Sequence, residues 1–135
     1  MMALTFAIMD YGVAIFVQNA LYNAVREGVR YAITQQTVTG HQDADIMAVV
    51  QRNSMGFLSG AAGLAYISIN YYDPRTLSPV TGLGSNAGGN ICVVSVSNYP
   101  ITWFAPVWRA AGQFAMSAAS SDVMESPPGG TIPAR

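Results

Sequence analysis

The chain has 135 residues, of which 51% are hydrophobic and 10% charged, with a formal net charge of -1. That length suits one domain of ordinary size. A charged fraction far below the usual ~25% argues against disorder and for surface that something other than water covers. All six basic residues are arginines, too few and too scattered to make the basic field that nucleic-acid binding needs.

Residues 1–17 are almost uninterrupted hydrocarbon, with Asp10 as their single charge. Such a stretch is at the short end of what spans a bilayer. It has neither a basic region before it nor a small-residue cleavage site after it, so it does not read as a cleavable secretory signal. The missing basic flank suggests that the chain begins part-way along a longer precursor. Helical character runs on through residues 2–34, where only Gly12 and Gly28 cost about 1 kcal/mol each relative to alanine. Ala14, Val17, Leu21, Ala24, Gly28 and Tyr31 recur at spacings of three and four and share one face. Gln18, Tyr22, Asn23, Arg26, Glu27 and Arg30 take the other side. At ~1.5 Å per residue this helix reaches roughly 50 Å, longer than the core of such a domain requires. Its first half must project.

Residues 37–42 form a connector that carries Gly40 and the sole histidine, His41. A second helix is expected from Asp43 or Asp45, either of which suits an N-cap. Ile46, Val49, Val50, Asn53 and Phe57 keep its helical spacing, and it ends in the glycine-containing run 59–63. The period then changes from about 3.6 to 2. Residues 64–72 read as a strand with Ala65, Ile67, Ile69 and Tyr71 on one face, followed by a polar loop over 73–90. Residues 91–98 alternate again, with Cys92, Val94 and Val96 together. Residues 99–106 read as irregular or a strand edge because of their two prolines, and 107–112 as a helical turn. Residues 113–124 form a third strand on which Phe114, Met116 and Ala118 alternate with small residues. The organisation is thus a helical segment over 1–36, a headgroup over 37–125 and a poorly ordered tail over 126–135.

Few constellations resemble chemistry. His41 with Asp43 and Asp45 is the one grouping that suggests a metal or an acid/base pair, and capping and solvation account for it. Asp73, Asn86 and Asn90 around a glycine-rich loop are weak candidates for calcium ligands, but no EF-hand spacing supports them. The glycines at 82, 84, 88 and 89 lack a phosphate-loop context. Nucleophilic catalysis has no candidate base. The expectation is a protein with no cofactor and no catalytic residues. Cys92, within Ile91-Cys92-Val93-Val94, reads as a buried inert thiol, with an intermolecular disulfide or lipid attachment as the alternatives. Tyr99, Trp103, Phe104 and Trp108 form an aromatic cluster that either packs the core or offers a contact surface to a neighbour. Asp10 is costly in an apolar helix unless neutralised or paired. It either sits near the aqueous boundary or meets a charge on an adjacent copy.

Three segments carry a resemblance: Asp10-Tyr11-Gly12, Val17-Gln18-Asn19-Ala20-Leu21, and residues 24–32 (Ala-Val-Arg-Glu-Gly-Val-Arg-Tyr-Ala). Together they are similar to the TadE-like pseudopilins of tight-adherence pili. The later Val94-Ser95-Val96-Ser97-Asn98-Tyr99-Pro100 and the small-residue strand at 115–121 fit that family's order of elements. The resemblance implies an inner-membrane precursor cut by a prepilin peptidase after a glycine, with a glutamate five residues into the mature chain. Counted from Met1, that position is Thr5.

The fold expected is α+β and pilin-like, with a long N-terminal helix and a second helix packed on an antiparallel sheet of about three strands. The function expected is that of a filament subunit, exported from the inner membrane and polymerised with copies of itself or with other pilins. Phe6, Ile8, Asp10, Tyr11 and Ile15 would pack between subunits, while Val17, Leu21, Ala24, Gly28 and Tyr31 would hold the head. The alternatives are an anchored periplasmic assembly factor and an anchored ligand-binding module.

Overall fold

The computed structural model of the chain describes residues 2–102, 112–127 and 129–135. The periodic N-terminal segment forms one continuous helix, α1 (Met2–Ile33), and the connector leads into α2 (Gln42–Asn53). A short α3 (Gly60–Leu64) precedes strand β1 (Ile67–Tyr72). The two-residue β2 (Pro79–Val80) follows, then β3 (Ile91–Ile101) and β4 (Phe114–Val123). The strands form one antiparallel sheet in the order β2-β1-β3-β4. The fold is α+β and pilin-like: a long helix, with helices and a small antiparallel sheet gathered along its C-terminal half.

The strand faces follow the alternation in the sequence. Ile67 and Tyr71 of β1, Cys92, Val94 and Val96 of β3, and Met116 and Ala118 of β4 are buried on one side of the sheet. They meet Val17, Leu21, Ala24, Val25, Val29 and Ala32 of α1, with Ile46 and Val50 of α2 closing the core. At Gly28 the helices come close, because a Cβ there would lie 2.5 Å from Val50 Cγ2.

The structure departs from the sequence reading at five places. The strand expected over 64–72 begins only at Ile67, because Gly60–Leu64 form α3 and Ala65 lies in the turn after it. Asp43 and Asp45 do not cap α2: His41 holds the N-cap position without a side-chain bond, and both carboxylates lie in the first turn. The second helix stops at Asn53 and resumes as α3, because Ser54 Oγ takes up the Gln51 carbonyl and the Leu58 amide in the break. The 73–90 loop contains a fourth strand, β2, too short to show a period of two. Finally, β3 continues past Asn98 through Tyr99 and Pro100 to Ile101. A register shift between Val96 and Tyr99 absorbs the irregularity there, with Asn98 in the left-handed region (φ 56°), a conformation that one class of bulge uses. The helical turn expected at 107–112 falls almost entirely outside the described residues.

Candidate assembly face of the N-terminal helix

Helix α1 divides in two at Val17. From Val17 onward the head buries Val17, Ala20, Leu21, Ala24, Val25, Gly28, Val29 and Ala32. Spacing picks out Val17, Leu21, Ala24 and Gly28 of these but not Ala20, Val25, Val29 or Ala32. The helix is covered by α2 on one flank and by β3 and β4 on the other, so the buried arc is wider than a single stripe. Ala14 and Tyr31 are half-buried at its margins and pack against the core.

Residues 2–16 are different. Met2, Leu4, Ile8, Met9, Tyr11, Val13, Ile15 and Phe16 are all exposed, with Ile8 at 65% and Tyr11 at 68%. Phe6 is half-buried. Exposing one large apolar side chain rather than burying it costs about 1.5–3 kcal/mol, so even partial exposure of eight sums to the order of 10 kcal/mol. That rivals the whole stability of an ordinary domain, ~5–15 kcal/mol. Such a face calls for a cover. Among the described helices, α1 alone is long and apolar enough to cross a membrane.

Asp10 is the exception in this half. It is only 6% exposed, the one buried residue between positions 2 and 16, and it is engaged by an interaction within the chain. The carboxylate expected either near the aqueous boundary or against a charge on an adjacent copy thus lies buried beside the head and has a contact within its own subunit. Next to it, Tyr11, Ala14, Ile15 and Gln18 of α1 and Phe114 and Met116 of β4 border an open groove of about 420 Å³. Gln18 Nε2 crosses to the sheet and donates to the Ser117 carbonyl at 3.0 Å, which fixes α1 against β4 at the point where the helix leaves the head.

A set of aromatic rings that includes Tyr99 gathers at this neck. Tyr99 meets Tyr66 and Phe57 edge-on, with centroids 5.5 and 6.4 Å apart, and Phe57 meets Phe16 at 6.1 Å. Burial raises the Tyr99 hydroxyl pKa, and neighbouring Tyr66 raises it further. Phe16, Phe57 and Tyr66 do not group with Tyr99 in the sequence, since they come from α1, the turn after α2 and the turn before β1. Trp103, Phe104 and Trp108 lie outside the described residues.

The remaining candidates have structural partners. Asp45 receives hydrogen bonds from the Val38 and Thr39 amides (2.6 and 3.1 Å) and from the Thr39 hydroxyl (2.8 Å). Burial pushes its carboxyl pKa up, but these donors outweigh that effect and leave it below its ordinary value. Asp43 pairs with Arg135, and His41 Nδ1 lies 3.1 Å from the Arg135 carbonyl. Asp73 accepts the Arg75 amide in a tight turn. The Asn86 amide group donates to Gln42 and the Pro133 carbonyl, and that of Asn90 to the Ser85 carbonyl. Among the described residues, no three His, Cys, Asp or Glu side chains gather as a metal site would require. Cys92 is buried, and burial with the nearby Asp43 charge pushes its thiol pKa up to about 12.

A family model described as TadE-like protein matches residues 1–30. The match covers the projecting half of α1 and most of its head-binding half, so it supports the resemblance read from residues 10–32. No curated protein and no solved structure matches the chain.

Proposed function

We propose that the chain is a structural subunit of a pilus-like extracellular filament, held before assembly in the inner membrane by the apolar half of α1. The single observation that carries this reading is the exposed hydrophobic face over residues 2–16, next to a head whose described core is drawn from Val17 onward. Lipid and a bundle of like helices can both cover that face, so one segment serves an anchored precursor and then a polymer core. Repetition of one head-to-tail contact gives an open helical assembly. The similarity of residues 1–30 to TadE-like proteins supports a pilus-associated role, either as a minor or as a principal component. The role is mechanical rather than catalytic, and it requires no cofactor.

Electron microscopy of filaments sheared from cells, with the head labelled by antibody, tests this. Label is expected along or at the tips of filaments. Label confined to the cell envelope would instead favour an anchored assembly factor that never enters the fibre.

A further inference from the structure

Residues 133–135 converge on the start of α2. Arg135 Nε and Nη2 each lie 3.0 Å from Asp43 Oδ2, and Nη1 donates to Ser85 Oγ at 2.8 Å. Its guanidinium carbon stands 4.8 Å above the Tyr71 ring. The Tyr71 hydroxyl donates to the other Asp43 oxygen at 2.7 Å, so both oxygens of the carboxylate are used. Tyr71 is fully buried, and Asp43 and Arg135 are mostly buried. Around this charge the backbone is read as well. The Gln42 amide donates to the Ala134 carbonyl at 2.7 Å, Asn86 Nδ2 to the Pro133 carbonyl at 2.9 Å, and residues 41 and 134 form a parallel bridge.

We propose that Asp43, Tyr71, Ser85, Gln42 and Asn86 form a recognition site for an extended segment bearing an arginine, which the chain fills with its own Pro133-Ala134-Arg135. Each requirement of such a site is present: a carboxylate and a hydroxyl for the guanidinium, an aromatic face for stacking, and backbone partners for the preceding residues. The site joins α2, β1 and the loop between β2 and β3. The occupied site straps these three together. Lysine cannot replace the arginine, because a point-charge ammonium cannot reach Asp43 and Ser85 at once while lying flat on Tyr71.

Hydrogen exchange at the Gln42 amide, whose acceptor is Ala134, reads the strap in the full-length protein in detergent. Arg135→Ala is expected to speed that exchange by about tenfold, the effect of losing hydrogen bonds to a charged group, while the β3 and β4 amides are unchanged. Arg135→Lys should give most of the same loss. Adding the peptide Thr-Ile-Pro-Ala-Arg to Arg135→Ala protein should restore protection, and the same peptide ending in alanine should not. Asp43→Asn should abolish that rescue. Unchanged Gln42 exchange in Arg135→Ala, or equal rescue by the two peptides, would overturn the proposal.

Discussion

At the scale of single residues, two positions show how local geometry overrides propensity. Gly28 lies inside a helix, where alanine should be better by about 1 kcal/mol. Here the added methyl would press on the Val50 side chain at 2.5 Å, and overpacking of this kind costs about 1–3 kcal/mol. Gly28→Ala is therefore expected to lower stability by up to about 2 kcal/mol, measurable by denaturant unfolding. The second position is Asp45, whose carboxyl pKa falls below 3.8 because Thr39 and Val38 donate to it. A depressed folded-state value contributes stability above the unfolded pKa, and this is lost as pH falls through the lower folded one. The native protein should lose the ordering of residues 37–40 below about pH 4, whereas Asp45→Asn protein should show weaker ordering with no such acid step. Amide exchange at Val38 and Thr39 across that range checks both. The aspartates were visible in the sequence as helix-start residues. That one of them would reach backwards to tie the connector was not, because the acceptor role depends on how Val38 and Thr39 fold back.

At the scale of elements, α1 is two helices in function and one in backbone. Leu21 is fully buried by the head and Ile8 is 65% exposed, although both are large aliphatics on the same helix. Leu21→Ala should cost about 2–5 kcal/mol of unfolding free energy. Ile8→Ala should fall within about 0.5 kcal/mol, as surface substitutions do, yet weaken assembly. Chemical denaturation of both variants with a parallel filament count would separate head packing from polymer packing. Much of this division was legible. The three-and-four spacing from Ala14 to Tyr31 picked out the head-binding stripe, and the alternation within 64–72, 91–98 and 113–124 gave most of the strand faces, although β1 starts only at Ile67 and Phe114 is exposed. Three features were not legible. Strand β2 has two residues and so no period. The continuation of β3 needs the bulge at Asn98, whose left-handed backbone no pattern announces. The seating of 133–135 on Asp43 and Tyr71 depends on contacts between residues roughly 60 and 90 positions apart.

For the whole molecule, the account rests on one asymmetry. The head has a closed core drawn from α1, α2 and the sheet, while the other end of the same helix presents uncovered hydrocarbon. Asp10 stands apart in that exposed half, buried and engaged within its own subunit. The single cysteine makes a direct measurement possible. Cys92 is buried with its thiol pKa raised to about 12, so it remains protonated and unreactive at neutral pH. A cysteine introduced by Ile8→Cys would then be the reactive thiol. Cells producing this variant, treated with a short membrane-permeant bismaleimide and then sheared, give the most direct test of the filament reading. The account predicts covalent dimers of the chain in the sheared filament fraction, linked through position 8. Filaments that form normally but contain no cross-linked chain, with the protein left as monomer in the envelope, would contradict it.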